Sequence, residues 1–295
     1  MAENTVEEKK KIRVGYIFLA LVPFAVMMAI QTAVQLPGTI LSIMEISKNG
    51  QSYDFDLLMK TFNEKYGLIS YSGYALASIA VFVPWYYKSI VKKNPKIVYK
   101  KALGWKPLVL SAAVMVFMYF VVTALLTGVG NIAPGLMESY KKLVEVSSLG
   151  VDMPITIVYV ILLAPIAEEL CFRGMVLGYL EKSNINVRNA ILIQSILFGF
   201  IHLNFVQGAY AMLLGLILGY MRYKYKTVIL TAGVHMFFNF TGSIVAGWLQ
   251  KLEIPDHLTM IFGGIGLVAA TAIIVLIAKD KDLYCEEREE QEVIS

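Results

Sequence analysis

The sequence predicts an all-α fold: a polytopic membrane helix bundle of about eight transmembrane helices, with both termini cytoplasmic. Three observations lead there. Of 295 residues, 57% are hydrophobic and 16% charged, with a mean hydropathy of +0.64, whereas soluble domains carry about 25% charged residues. A soluble core of this length is already near its size limit, so the surplus apolar surface needs lipid. Apolar stretches of about 20 residues recur, the length that crosses about 30 Å of hydrocarbon. The basic residues, finally, alternate between the two sides of such a bundle.

The expected spans are 13–36, 68–88, 108–130, 155–180, 188–204, 205–222, 226–249 and 257–278. The first follows an acidic-then-basic start and is too long for the apolar region of a signal peptide, so it is read as a retained helix. Segments 54–66 and 136–147 read as short amphipathic helices on the outer surface. Asn204, Gln207 and Gly208 supply the turn signal between the fifth and sixth spans. With this layout 19 of the 26 Lys and Arg residues fall on one side and six on the other, as the positive-inside rule requires. The loop Lys88–Lys106 alone carries seven lysines among Trp85, Tyr86, Tyr87, Tyr99 and Trp105. It reads as an orientation determinant at the bilayer surface.

The same numbers exclude other classes. Disorder needs low hydrophobicity and high charge. A net charge of +4, scattered, does not make a nucleic-acid binder, and two cysteines, Cys171 and Cys285, make no disulfide framework.

Charges inside the spans are nearly absent, except in LLAPIAEELCFRG of the fourth, which holds Glu168, Glu169 and Arg173. Each costs about 2.5–3.5 kcal/mol near a helix centre, so such residues face the bundle interior and are functional by default. Glu169 and Arg173 are one turn apart and can pair. Glu168 lies about 100° round the helix from Glu169 and is free to point elsewhere. His202, in FGFIHL, and His235, in GVHMFFNF with Asn239 one turn on, add two imidazoles and an amide. Counted from the cytoplasmic helix ends, Glu168, His202 and His235 lie about 18, 21 and 14 Å deep. A shared buried site predicts such a common level.

A buried carboxylate with an imidazole can deprotonate a water, and a second imidazole with an amide can stabilise an oxyanion. Glu168, His202 and His235 could equally bind a divalent metal such as Zn²⁺. The spacing leaves both open, and the cofactor expectation is therefore none or one divalent metal. The parts of other membrane chemistries are missing: no HExxH, no GxSG, no aspartate pair in a span. Cys171 is a poor nucleophile beside acidic neighbours.

EELCFRG at 168–174, FGFIH at 198–202 and HMFFN at 235–239 resemble the EExxxR, FxxxH and HxxxN signature of the CAAX prenyl protease and bacteriocin-processing (Abi) family of intramembrane peptidases. The resembling region runs from about 155 to 245. The resemblance implies that Glu168 activates water, that His202 assists or ligates, and that His235 and Asn239 stabilise the oxyanion or complete a metal site. It implies structural support from Glu169 and Arg173, with Phe198 packed beside the site. On this reading 1–150 is an N-terminal transmembrane region of about three helices with the basic cytoplasmic loop. Residues 151–250 are the protease-like catalytic core, and 251–295 the last transmembrane helix and an acidic cytoplasmic tail.

The resulting expectation is an endopeptidase of a bacterial cell membrane. It would cut a peptide or membrane-protein substrate at a site open to the cytoplasm or sideways to the bilayer. The family link suggests a role in bacteriocin immunity or in peptide and surface-protein processing, with a membrane regulatory partner. Two other readings compete: a non-catalytic regulatory or scaffold protein, and a proton-coupled transporter. The latter predicts duplicated halves with broken helices, and no such duplication is visible.

Overall fold

The structure is a computed structural model that describes residues 11–52, 54–93, 102–147 and 158–280. The N-terminal lysines 9 and 10, residues 94–101 of the lysine loop, the boundary at 150/151, Cys285 and the acidic tail lie outside the described residues.

Nine helices form among the described residues. They are α1 (Val14–Lys48), α2 (Phe55–Ser89), α3 (Trp105–Ile132), α4 (Pro134–Ser147), α5 (159–182), α6 (Val187–Phe200), α7 (Phe205–Tyr225), α8 (Val228–Leu249) and α9 (Asp256–Lys279). Each of the eight expected spans has its helix, and α4 is the amphipathic segment. Six helices are long and apolar enough to cross a membrane: α1, α2, α3, α7, α8 and α9. Helix α5 has the length but carries the three charges. Helix α6 has 14 residues, about 21 Å, so its far end stops short of a full crossing.

Two boundaries differ from the sequence reading. Segment 54–66 is not a separate surface helix but continues into α2 through a π-helical turn, Asn63–Gly67. Its apolar side docks on α1, where a Cβ at Gly38 would stand 2.9 Å from both Phe62 and Tyr66. Helix α1 likewise runs on past Pro37 to Lys48, giving α2 a full-length partner.

Side-chain caps set the entries of the short-loop helices. The Asn186, Asn204 and Thr227 side chains accept backbone N–H groups of Arg188, Gln207 and Ile229, each bond stabilising a helix start by about 1 kcal/mol. The turns use left-handed Asn184, Leu203 and Lys226, at φ 60°, 52° and 58°.

Contacts between helix ends define two faces. At one, Arg13 N–H donates to the Ser183 carbonyl, and Lys182 bonds the Ser89 carbonyl. Lys106 pairs there with Asp280, and Lys224 donates to the Asp280 carbonyl. At the other, Lys65 pairs with Glu45, and Asn131 donates to Asp256. The first, lysine-rich face gathers both ends of the described chain, as the alternation of basic residues requires.

Helix α5 is the centre of one of two apolar clusters, packing with α1, α2 and α6 and with Ala211 of α7 and Val228 of α8, and a second cluster joins α3, α7, α8 and α9. Residues 169–180 of α5 are buried without a break.

Candidate active site

Helix α5 carries both glutamates on a short α-helical piece, Ala164–Glu169, between two π-helical turns, Tyr159–Leu163 and Leu170–Val176, the second of which holds Arg173. Such turns recur at functional sites, and here they bracket both glutamates. The α6–α7 hairpin brings up His202. Close contact between Gly199 and Gly208 makes that hairpin tight, since a Cβ at Gly199 would stand 2.6 Å from the Gly208 carbonyl. Helix α8 supplies His235 and Asn239.

Glu169 and Arg173 form the expected ion pair, with Nη1 2.9 Å from Oε1 and side chains 1% and 0% exposed. The guanidinium also lies 4.1 Å above the Phe198 ring, a cation–π contact that solvates the cation where water is absent. The Phe198 ring meets Phe172, His202 and His235 edge-on, at 5.1, 5.3 and 5.8 Å. Phe198 is thus the apolar floor shared by the cation and both imidazoles.

Glu169 has a second partner that helical spacing did not reveal. Its Oε1 accepts from His235 Nδ1 at 3.1 Å. A carboxylate beside Arg173 is an acceptor, so Nδ1 carries the proton and the Nε2 edge is aimed at the site. Nε2 stands 3.8 Å from Glu168 Oε2. His202 is fixed the same way: Nδ1–H donates to the Phe198 carbonyl at 2.9 Å, leaving Nε2 for the site. Glu168 is set apart from Glu169 by exposure, with 17% of its side chain accessible. It interacts electrostatically with His202, Tyr74, Tyr159 and Tyr210.

Asn239 is committed in part to structure. Its Nδ2 donates to the Val160 carbonyl at 2.9 Å, tying α8 to the first π-helical turn of α5. One N–H of that amide remains for a further acceptor. Cys171 is fully buried and out of reach of a substrate. Among the described residues no group of three His, Cys, Asp or Glu side chains is placed to hold a metal ion.

The tyrosines around Glu168 were not anticipated from sequence. Their signal was available: a phenol in an apolar span brings a hydroxyl that seeks a polar partner. Tyr159 meets Tyr71 in a tilted ring contact at 5.6 Å, and the Tyr71 hydroxyl donates to Asn63.

No curated protein and no solved structure matches the chain. A family model described as type II CAAX prenyl endopeptidase, Rce1-like, matches residues 150–241, roughly a third of the chain. Glu168, Glu169, Arg173, Phe198, His202, His235 and Asn239 all lie within it, so the segment that builds this site is matched to the Rce1-like type II CAAX prenyl endopeptidases, the group its motifs resemble.

Proposed function

We infer that the protein is an intramembrane endopeptidase in which Glu168 and His202 activate a water and His235 and Asn239 stabilise the oxyanion. The observation that carries this reading is the contrast between adjacent carboxylates. Glu169 is sealed and doubly partnered, whereas Glu168 is accessible and faced by an imidazole edge at 3.8 Å.

Charge counting supports the roles. Two carboxylates and one guanidinium leave one negative charge in a dry setting, and one more proton neutralises the cluster. On His235 that proton makes Nε2–H a donor aimed beside Glu168. Glu168 then takes a proton from water as the oxygen bonds to the scissile carbonyl carbon, with His202 Nε2 accepting the other water hydrogen to hold its orientation. The oxyanion receives Nε2–H of His235 and the remaining N–H of Asn239. Collapse breaks the C–N bond, and Glu168 returns its proton to the leaving amine.

The substrate is a peptide or membrane protein in the bilayer. The reading extends to a bacterial cell membrane and to bacteriocin immunity or peptide and surface-protein processing under a membrane regulatory partner. The family resemblance supports that extension. The test is cleavage of fluorogenic membrane peptides, prenylated and unprenylated, by protein reconstituted in proteoliposomes. Glu168→Gln should lower the rate by about 10²–10⁴-fold, and Lys92→Ala should not. Cleavage indifferent to Glu168→Gln would refute the mechanism.

A further inference from the structure

Helix α5 ends at the lysine-rich face and α8 begins there, so the two run in opposite directions. Their register sets His235 at the level of Glu169, to which its Nδ1–H donates at 3.1 Å. One turn nearer the lysine-rich face, α5 carries Arg173 and α8 carries Thr231. Thr231 is fully buried, at 0% exposure. Its hydroxyl donates to the Val228 carbonyl at 3.1 Å and is also within hydrogen-bonding reach of the Glu169 carboxylate. A hydroxyl has one proton to give, so it serves one of these acceptors at a time.

The two acceptors differ in need. The Val228 carbonyl belongs to the first turn of α8 and is met by the helix's own N–H at Ala232. Glu169 is an anion, the stronger acceptor, and its two oxygens are unequally served. Oε1 takes both the His235 Nδ1–H and the Arg173 guanidinium, at 3.1 and 2.9 Å. Oε2 is buried and makes no well-formed hydrogen bond among the described residues, a costly state for a carboxylate oxygen. Two contacts on one oxygen also leave the carboxylate plane undefined, because the last torsion of a glutamate is broad. A third bond, on Oε2, fixes that plane.

We propose that Thr231 is a positioning residue for His235: its hydroxyl turns from the Val228 carbonyl to Glu169 Oε2 and fixes the carboxylate that orients the imidazole. Rotation about the side-chain bonds of Thr231 is all the change requires, and no covalent bond forms or breaks. With the carboxylate plane held, Oε1 stays in line with Nδ1–H, and the Nε2 edge stays 3.8 Å from Glu168. Without it, the carboxylate turns about its last torsion and the ring loses its aim. The effect on turnover rests on the peptidase reading; the hydrogen bond and the ring orientation do not. Thr241, farther along α8, is the natural comparison. It donates to the Phe237 carbonyl at 2.8 Å, an ordinary back-bond within the helix.

The test combines magnetic resonance of the full chain carrying isotope-labelled histidine with cleavage of the fluorogenic membrane peptides. The Nδ1–H signal of His235 is identified by its loss in His235→Gln. Thr231→Val keeps the side-chain shape and removes the hydroxyl. It should move that signal to the position of a more weakly bonded proton and lower kcat by about 10-fold, the scale of one hydrogen bond to a charged group. KM should stay put, since the substrate does not touch Thr231. Thr231→Ser, which restores a hydroxyl, and Thr241→Val should keep the parent signal and stay within about 3-fold of the parent kcat. Thr231→Ala carries the same expectation as Thr231→Val if the latter fails to fold. A parental Nδ1–H signal in Thr231→Val overturns the proposal. So does Thr231→Ser behaving like Thr231→Val, or Thr241→Val doing equal damage. If the parent chain cleaves none of the peptides, the peptidase reading falls, and the His235 signal still decides the role of Thr231.

Discussion

Two helix interfaces in this molecule use the same close approach to different ends. Helix α9 meets α3 through Gly263, which touches Ala124, and Gly266, where a Cβ would stand 2.7 Å from the Phe117 carbonyl. The buried residues of α9 are Gly263, Gly266, Ala270 and Ile277, so the contact is small residues and apolar surface. Helices α6 and α7 approach as closely, through Gly199 against Gly208 and Gly215 against Ser195. That interface, however, carries polar cargo. Gln194 Nε2 donates to the Gly215 carbonyl at 2.8 Å, and Ser195 donates to the Ile191 carbonyl. His202 hangs from its tip. In lipid, small residues are what bring helices together. The first interface stops there, and the second uses the fixed distance to hold an imidazole against α5 and α8.

Substitutions can break or sharpen that contrast. The largest effect belongs to Glu168→Gln, which should remove about 10²–10⁴-fold of the cleavage rate while the thermal midpoint in detergent stays put; a shifted midpoint would mean Glu168 is structural. Glu169→Ala should lower unfolding free energy by about 3–5 kcal/mol, because Arg173 is left buried without its counter-charge. Urea denaturation of the purified protein reads this directly. Gly199→Ala and Gly266→Ala should each cost about 1–3 kcal/mol by overpacking. Only Gly199→Ala should also lower the cleavage rate of the folded fraction, because it displaces His202. Equal effects on cleavage would erase the distinction between the interfaces. Thr227→Ala should be the mildest, about 1 kcal/mol from a lost helix cap, with turnover unchanged in the same assays.

How much of this was legible in the sequence follows from what sequence spacing can encode. The spans were legible because the bilayer fixes their length, and the Glu169–Arg173 pair because it is local to one helix. That His235 also bonds Glu169 was not legible, since the two residues are 66 apart in sequence and only the packing of α8 on α5 joins them. The same holds for Asn239 and Val160. Segment 54–66 read as separate because its charges, among them Lys60 and Glu64, looked like those of a surface helix; the docking of Phe62 and Tyr66 on α1 could not be seen. Arg222, counted with the surface cations, is 3% exposed and lies 3.9 Å from Glu181. A charge count records the sign of a residue and says nothing of the neighbour that shelters it.

The π-helical turns around Ala164–Glu169 have a consequence for how this helix tolerates insertion and deletion. A π-helical turn is an α-helix holding surplus backbone, and it is the natural place for a helix to gain or shed a residue. Shedding one from Tyr159–Leu163 would rotate everything before it by about 100°. The glutamates, Arg173 and His235 would keep their mutual register, although the bond from Asn239 to the Val160 carbonyl would be lost. Shedding one from Leu170–Val176 would instead turn Glu169 away from Arg173, or the rest of the buried run away from its packing. One helix thus has an end whose length can drift and a stretch whose length is locked, and the lock begins at the residue after Glu168.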